Sequence, residues 1–308
     1  MESSLVSAVI PTRNRPALLM RAVRSVLEQT HRDIEIVIVI DGRDPTTVTA
    51  VSSIRDPRVR VFELTENVGS ANARNIGVQH ATGKWVAFLD DDDEWLPHKI
   101  EKQLDCAKCS NLTHPLVACR VIGRTPHRDY IWPRRFPKVD EPLIDYLFAR
   151  NSLFRGEGHI VTSTIFAEQQ LLLTVPFTRG MSHNDDTDWL VRFCTRVDAG
   201  VEFVKEPLAV WHLEEARFCV SMQSDWRRTH MWLKSIRPLI TPRAYSGFIA
   251  AQLAGEAGRQ RAWKAFFPLL SEMCLCGEPK PIDLALYLGN WAMPQSLRSS
   301  IRSLLYRE

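Results

Sequence analysis

The first hundred residues alternate between segments typical of buried strands and segments typical of helices, and this alternation limits the fold more than any other feature of the sequence. Apolar runs, several of them β-branched, occupy residues 5–10, 34–40, 59–64 and 84–89. Apolar side chains recur at helical spacing after Asn14, a predicted cap, and Pro16, and again over residues 70–81. Strand–helix repetition of this kind predicts an α/β fold with a doubly wound, mostly parallel sheet flanked by helices.

The sequence after residue 110 is less regular. Residues 111–158 are rich in proline, arginine and aromatic side chains, and we interpret them as an excursion over the surface. The patterns that follow predict a strand at 160–166, a helix at 188–197 and a strand pair at 201–204 and 208–211. From Trp226 onward the pattern is helical. We therefore divide the chain into an α/β domain, residues 1–224, and a helical C-terminal extension, residues 225–308.

The formal charge is nearly balanced, with 39 basic and 36 acidic side chains and a net charge of +3. This balance argues against a nucleic-acid-binding protein, which usually carries a strong basic excess. Residues 1–224 hold 27 basic and 30 acidic side chains, whereas residues 225–308 hold 12 basic and 6 acidic. Basic helices in the extension suggest peripheral contact with an anionic membrane, and a helical cap packed on the α/β domain explains them equally well.

The start of the chain and its cysteines indicate a cellular compartment. The chain begins MESSLVSAVIPT, without the basic and long apolar segments of a secretory signal. No apolar run approaches the roughly 20 residues that span a bilayer. The seven cysteines are an odd number. We therefore expect a cytoplasmic protein with reduced thiols, whose membrane contact, if made, is on the inner face.

Four consecutive aspartates, Asp90–Asp93, directly follow the fourth predicted strand. Adjacent carboxylates repel one another unless a cation or hydrogen-bond donors neutralise them. In open α/β sheets, ligands bind outside the carboxyl ends of the strands, and oxygen ligands on a loop there suit Mg²⁺ or Mn²⁺ shared with substrate phosphates. An isolated acidic run is more often a solvated turn, but the position of this run after a buried strand favours a metal site.

Other positions carry residue types that suit a ligand site. Asp41 ends the second predicted strand, where an acidic side chain can bind a base or ribose, although an ordinary Asp-Gly turn also explains it. Arg74 lies one turn into a helix that begins with small residues, a place that can receive an anion. Asp185 and Asp186 precede a predicted helix. Either residue can cap that helix, and either can act as a general base.

In combination, these motifs are similar to those of a known family. The matching segments are Val6–Thr12 with Asn14 and Arg15, Ser25–Thr30, Glu35–Gly42, Asn67 and Gly69, Ala73–Asn75 with Gly77, Ala81 with Gly83 and Lys84, and Phe88–Asp93, with weaker matches at Ile160–Ser163, Asp185–Asp186, Arg192 and Pro207–Leu208. Over residues 5–215 the chain resembles the family 2 inverting glycosyltransferases of the GT-A fold, of the bacterial polysaccharide type. The resemblance implies a GT-A-like sheet, and it does not extend beyond about residue 225.

The resemblance also implies an activity and a set of site residues. The activity is transfer of a sugar from a nucleotide-sugar, most simply a UDP-sugar, to a hydroxyl of a saccharide or lipid-linked acceptor in polysaccharide or glycoconjugate synthesis. The residues implied to bind the nucleotide are Pro11, Thr12, Arg13, Asp41, Arg74, Asp90 and Asp91. Asp92 is implied to bind Mn²⁺ or Mg²⁺, with His212 as a further candidate. Asp186 aligns with the catalytic base, and Asp185 is the alternative.

Three positions depart from the pattern of the family. Ile40 stands where an aspartate is usual, Arg13 where an aromatic residue is usual, and Asp185 where a glutamate is common. The departure at Arg13 removes an expected stacking partner for the base. The alternative function is a catalytically silent protein of the same fold that binds sugar nucleotides or acts as a scaffold. Retention of the acidic residues named above argues against that alternative.

Overall fold

A computed structural model describes residues 4–153, 156–181, 183–196, 199–213 and 225–292. The described residues cluster into two compact units. The first unit comprises the described residues up to 134 and from 159 to 213, and the second comprises residues 135–158 and 225–292. Within these ranges every strand belongs to the first unit, whereas the regular elements of the second are helical.

The strands of the first unit are β1 (Val6–Thr12), β2 (Ile34–Ile40), β3 (Val59–Glu63), β4 (Trp85–Phe88), β5 (Glu94–Trp95), β6 (His114–Arg124), β7 (Asp129–Trp132), β8 (Phe166–Glu168) and β9 (Ala199–His212). They form one sheet in the order β3-β2-β1-β4-β8-β6-β9-β5, with β7 paired to β6 outside that path. Pairing is parallel among β1 to β4 and between β6 and β9, and it is antiparallel at β5, β7 and β8. The predicted α/β class is confirmed.

The helices are, in chain order, α1 (Pro16–Leu27), α2 (Pro45–Ser52), α3 (Ser70–His80), α4 (Lys99–Cys109), α5 (Leu143–Phe148), α6 (Gln169–Thr174), α7 (Asp185–Cys194), α8 (Trp226–Ser235), α9 (Pro242–Phe248), α10 (Ala254–Arg259), α11 (Phe266–Cys276) and α12 (Pro281–Ala292). The second unit contains α5 and α8 to α12, and the first contains the others. A π-helical segment, Ile249–Leu253, joins α9 to α10.

The centre of the sheet explains the apolar runs of the sequence. β1 and β2 are buried over their full lengths, so neither shows an alternating pattern. α3 packs closely on β1 because Gly77 has no side chain: a Cβ there would lie 2.3 Å from Val9 Cγ1. The register sets Thr12 beside Ile40 and Val9 beside Phe88. The carboxyl ends of β1, β2 and β4 therefore lie at the same edge of the sheet.

The predicted cap of the first helix is wrong. α1 begins at Pro16, and the residue in the cap position is Arg15 rather than Asn14. Asn14 has a positive φ of 54°, and its backbone N–H donates to Asp44 Oδ2 over 2.7 Å. Asn14 therefore turns the chain out of β1, a role that its tolerance of the left-handed conformation permits.

The interpretation of residues 111–158 as a surface excursion is also wrong for its first part. His114–Arg124 forms β6, which lies between β8 and β9 in the sheet and is mostly buried. Pro115 and Arg120 interrupt its apolar pattern. Pro115 is the second residue of the strand, and Arg120 lies at a register shift against β9, so the sheet accommodates both. Residues 135–158 belong to the second unit.

The later elements of the first unit differ in extent from the predictions. In place of a strand over 160–166, Thr162–Thr164 forms a 3₁₀ turn, and the pairing with the sheet is made by β8. The predicted strand pair is one strand of 14 residues, β9. The helix predicted at 188–197 is α7, which begins earlier, at Asp185. The acidic residues therefore form the first turn of α7 instead of preceding the helix. The helix dipole favours negative charge in that turn.

The second unit is helical, as the sequence pattern predicts from Trp226 onward. Trp232 packs edge-on against Phe248, with ring centroids 5.4 Å apart, and against Phe148, at 6.5 Å. In the described part of the chain, no helix combines the length and the apolar character that crossing a membrane requires.

Candidate active site at the strand ends

The acidic run Asp90–Asp93 connects β4 to β5 at the carboxyl edge of the sheet. Asp91 and Asp93 are buried, with exposures of 5% and 3%, whereas Asp90 and Asp92 are partly exposed. A solvated acidic turn would expose its carboxylates, so this run is not one. Buried carboxylates require hydrogen-bond donors or cations from neighbouring elements.

Thr12 and Arg15 supply those partners to Asp91. Thr12 Oγ1 donates to Asp91 Oδ2 over 2.8 Å, and Arg15 Nη1 lies 3.1 Å from Asp91 Oδ1. The same nitrogen of Arg15 lies 3.1 Å from Asp92 Oδ2. Burial, and next the charge of Asp92, raises the pKa of Asp91 to about 6. The negative charge of Asp91 is therefore only partly compensated by the protein.

Ser163 holds both ends of the acidic run. Its hydroxyl accepts a hydrogen bond from the backbone N–H of Asp90 over 3.1 Å and donates one to Asp93 Oδ2 over 2.5 Å. Trp95 fixes the turn that carries Ser163, because its Nε1 donates to the Ser163 carbonyl over 3.0 Å. Asp93 is thus engaged within the protein, while Asp90 and Asp92 retain exposed carboxylate surface.

Arg74 projects from α3 and is only 5% exposed. Its Nη2 lies 2.6 Å from Asp90 Oδ1, and its Nη1 lies 2.6 Å from Asp185 Oδ2. The guanidinium lies over the ring of Phe177, 5.6 Å from its centroid. Burial alone would lower the pKa of Arg74, but the charges of Asp90 and Asp185 outweigh burial and raise it. Arg74 therefore joins an aspartate of the acidic run to the first turn of α7.

Asp186 occupies the same turn of α7. The Thr187 backbone N–H donates to Asp186 Oδ1 over 2.6 Å, and Thr162 Oγ1 lies 3.5 Å from Oδ2. Burial, and next the charge of Asp185, raises the pKa of Asp186 to about 6. A carboxylate with such a pKa suits general-base chemistry close to neutral pH, whereas Asp185 is engaged by the Arg74 cation.

The remaining residues predicted to bind a nucleotide lie at the ends of β1 and β2. Pro11 is buried within β1, and Arg13, which follows β1, is exposed. Asp41, directly after β2, is 6% exposed, and its two oxygens accept hydrogen bonds from Val68 N at 2.7 Å and Gly69 N at 3.0 Å. Asp41 therefore holds the loop that leads into α3. Its contact with a nucleobase stays a prediction.

His212 ends β9 beside the acidic run, where its Nε2 lies 2.6 Å from Glu94 Oε1. Across the ranges that the structure describes, no group of three or more His, Cys, Asp or Glu side chains could hold a metal ion by itself. A metal shared with a diphosphate needs only one or two protein carboxylates. Asp92 is a partly exposed carboxylate next to Asp91, whose charge is incompletely compensated, so these ligands fit an added cation.

Sequence reasoning assigned no role to several residues that hold the acidic run. Arg15 lies in the cap position of α1 and Arg21 in its second turn, and Arg21 Nη2 donates to the Asp92 carbonyl over 2.7 Å. Ser163 lies in a segment that matches the family, but the resemblance assigned it no function. One signal was available: a helix that follows β1 begins at the same edge as the acidic run, so basic residues in its first turns are expected to face that run.

Two solved structures are similar to this chain in fold. S. aureus TarS 1–349 in complex with UDP-GlcNAc gives a TM-score of 0.66 at 14% identity, covering 99% of this chain and 93% of that one. The mannosyltransferase PcManGT from Pyrobaculum calidifontis, in complex with GDP-Man and Mn²⁺, gives 0.52 at 19% identity, covering 98% and 81%. Identities this low establish the fold alone, and the expected GT-A-like class is confirmed.

The sequence is similar to an Escherichia coli protein, the UDP-Glc:alpha-D-GlcNAc-diphosphoundecaprenol beta-1,3-glucosyltransferase WfgD. The two are 31% identical over 113 residues, which cover 37% of this chain and 45% of that protein. The chain thus spans less than half the length of this curated relative. The family model described as Glycosyl transferase family 2 matches residues 7–171, just over half of the chain. The chain therefore belongs to glycosyl transferase family 2, as its sequence motifs predicted.

Proposed function

We propose that the protein is an inverting glycosyltransferase that moves a sugar from a UDP-sugar donor to a hydroxyl acceptor in polysaccharide or glycoconjugate synthesis. Membership of family 2 supports glycosyl transfer from a nucleotide-sugar. One observation carries the finer proposal: Asp186, with its raised pKa, lies next to Arg74 and Asp90 at the strand edge that bears the acidic run. A candidate base thus lies close to side chains that suit the binding of a nucleotide and its cation.

The donor is proposed from the site and from two similar proteins. The name of the E. coli relative specifies UDP-Glc, and the TarS structure contains UDP-GlcNAc. We assign nucleotide binding to Pro11, Thr12, Arg13, Asp41, Arg74, Asp90 and Asp91. All of them lie on the edge formed by the carboxyl ends of β1, β2 and β4, or on α3 beside it.

A divalent cation, Mn²⁺ or Mg²⁺, is proposed at Asp92, and the PcManGT structure contains Mn²⁺. When bound, such a cation stabilises the negative charge that grows on the departing diphosphate. The contribution of this chain is the partly exposed carboxylate of Asp92, in a run that Arg15 and Ser163 hold in place. His212 is the second candidate, because Glu94 engages its Nε2.

Asp186 is proposed to take the proton of the acceptor hydroxyl while that oxygen attacks the anomeric carbon of the donor. The new glycosidic bond forms on one face of the sugar as the bond to the diphosphate oxygen breaks on the other. A single displacement of this kind inverts the anomeric configuration. A positioned base contributes about 10²–10⁴-fold to the rate. Asp185 is the less suitable base because it is paired with Arg74.

The acceptor is proposed to be a lipid-linked saccharide. The second unit is proposed to bind the surface of the membrane that holds this acceptor. The name of the E. coli relative specifies a diphosphoundecaprenol acceptor. In the second unit Phe267, Leu275 and Leu288 are exposed by 76%, 82% and 52%, and Trp263 and Lys264 are exposed just before α11. Exposed apolar side chains next to basic ones favour an anionic bilayer surface.

Flotation with vesicles tests the membrane contact. We expect the protein to float with phosphatidylglycerol vesicles at low salt and not to float with phosphatidylcholine vesicles. The double variant Phe267→Ser with Leu275→Ser should lose flotation, since it removes the two most exposed apolar side chains of α11 and leaves Lys264 in place. Absence of flotation with the unmodified chain would overturn the membrane proposal.

The donor site is tested by thermal unfolding with a panel of sugar nucleotides, each with and without Mn²⁺. We expect one UDP-sugar to raise the Tm more in the presence of Mn²⁺, and Asp92→Asn to abolish that extra rise. Asp56→Asn is the control, because Asp56 pairs with Arg58 outside the site. If no sugar nucleotide raises the Tm with Mn²⁺ present, the donor proposal fails. Binding without release of nucleoside diphosphate would favour the silent alternative.

A further inference from the structure

Arg74 links two carboxylates that belong to different elements. Its Nη2 contacts Asp90, after β4, and its Nη1 contacts Asp185, in the first turn of α7, both at 2.6 Å. We infer that Arg74 is a positioning residue, which holds the end of α7 that carries Asp186, through Asp185, against the strand end that carries Asp90. The inference rests on the proposed function, because it gives Asp186 the role of base.

The guanidinium of Arg74 has little freedom to move. The side chain is buried and lies over Phe177. α3 is itself fixed on β1, where Gly77 lets the two backbones approach closely. A guanidinium presents its donors in a rigid planar fork, whereas a lysine presents one nitrogen on a flexible stem. The separation of Asp90 and Asp185 is therefore set by the fork of Arg74.

Asp186 depends on Asp185 for its position. Among the described residues, Asp186 Oδ1 accepts local hydrogen bonds from the backbone N–H and the hydroxyl of Thr187, at 2.6 and 3.2 Å, and the contact of Oδ2 with Thr162 Oγ1 is long, at 3.5 Å. Asp185 is tied more firmly, to Arg74 at 2.6 Å and to Ser70 Oγ at 3.2 Å. The two aspartates are consecutive, so anchoring Asp185 also anchors the backbone of Asp186.

The two members of the ion pair act on Asp186 with opposite signs. The charged groups set against Asp186 are Arg74 from α3, Asp185 on its own helix and Asp90 after β4. The cation favours the ionised form of Asp186, and the two anions disfavour it. Loss of the Arg74 charge should therefore raise the pKa of Asp186, and loss of the Asp185 charge should lower it. An ion pair that lies far from Asp186 would produce neither shift.

NMR titration of aspartate ¹³Cγ signals in the full-length protein measures these shifts without an acceptor, and Asp186→Asn assigns the signal. We expect the midpoint of Asp186 to rise by about one pH unit in Arg74→Met and to fall by about one unit in Asp185→Asn. Arg74→Lys keeps the charge and should stay near the wild-type midpoint. The rate of nucleoside diphosphate release should change in parallel. The acid limb of its kcat–pH profile should move in the same direction as the midpoint of Asp186.

Arg60→Met provides the matched control. Arg60 Nη1 lies 2.8 Å from the buried Glu35, at the amino end of β2 and so at the opposite edge of the sheet from the site. This variant should lose stability without moving the midpoint of Asp186. If Arg74→Met does not fold, the downward shift in Asp185→Asn decides alone. Unchanged midpoints overturn the inference and leave the proposed function standing, since Asp186→Asn and the donor panel test that separately.

Discussion

Thr12 and Asp91 join the ends of two neighbouring strands through one buried hydrogen bond. Thr12 is the last residue of β1, and its Oγ1 donates to Asp91 Oδ2 over 2.8 Å beyond the end of β4. The two residues are 4% and 5% exposed. A buried carboxylate that loses a donor keeps the cost of its desolvation. The acidic run therefore depends on a hydroxyl that the first strand supplies.

Thr12→Val keeps the shape of that side chain and removes the donor. We expect the free energy of unfolding to fall by about 1–3 kcal/mol, because Asp91 stays buried with one partner fewer. Chemical denaturation followed by tryptophan fluorescence measures the loss. Thr49→Val is the control, since Thr49 Oγ1 donates to the Pro45 carbonyl on the exposed side of α2, and its effect should stay below about 0.5 kcal/mol. Equal losses in the two variants would contradict the prediction.

The close approach of α3 to β1 gives a second prediction. In Gly77→Ala the new Cβ would lie 2.3 Å from Val9 Cγ1, so either α3 or the Val9 side chain has to shift. We expect a loss of about 1–3 kcal/mol in the free energy of unfolding, and weaker donor binding because α3 carries Arg74. Gly255→Ala in α10 meets its nearest atom at 3.5 Å and should gain up to about 1 kcal/mol from helix propensity. Effects of the same sign in both variants would refute the packing argument.

The parts of the fold that follow from local pattern could be predicted from the sequence. β2 was predicted over its whole extent, because burial of both faces leaves an uninterrupted β-branched run. β6 was missed, because Pro115 and Arg120 break its pattern and its partners, β8 and β9, come later in the chain. Pairing between distant segments depends on neighbours that no local window contains.

The site divides in the same way. The carboxylates of the acidic run stand out in the sequence because four consecutive aspartates closely follow a buried strand. Their partners Arg15 and Ser163 belong to common residue types, and only the strand register and the turn before β8 bring them to the run. The preference for Asp186 over Asp185 likewise required the pairing of Asp185 with Arg74, which joins residues far apart in the sequence.

Asp186→Asn gives the third prediction, on activity. The amide cannot take up the proton of the acceptor hydroxyl, so the rate of transfer should fall by about 10²–10⁴-fold. Donor binding should remain, because the hydrogen bonds of Asp186 are with Thr162 and Thr187 rather than with the acidic run. Product formation under saturating donor measures the first effect, and the donor-induced rise in Tm measures the second. Full residual transfer would move the base elsewhere, with Asp185 as the next candidate.

The same variant gives the fourth prediction, on stability. Burial and then the charge of Asp185 raise the pKa of Asp186 from 3.8 to about 6. A carboxyl with a higher pKa in the folded than in the unfolded state binds its proton more tightly when folded. Stability therefore falls as the pH rises through the interval between those two values. Asp186→Asn removes this loss, so its Tm should exceed that of the wild type above about pH 6, and the difference should shrink toward pH 4.

Asp56→Asn tests the sign of that argument, because Asp56 has the opposite shift. The hydrogen bond from the Arg58 side chain lowers the pKa of Asp56 to about 2. The ionised form of Asp56 thus stabilises the fold above its ordinary value of 3.8, and this stabilisation is lost as the pH falls toward 2. Asp56→Asn should therefore lower the Tm near neutral pH, where Asp186→Asn raises it. Scanning fluorimetry of the three proteins between about pH 4 and pH 8 measures both effects, and a constant difference between Asp186→Asn and the wild type would contradict the raised pKa.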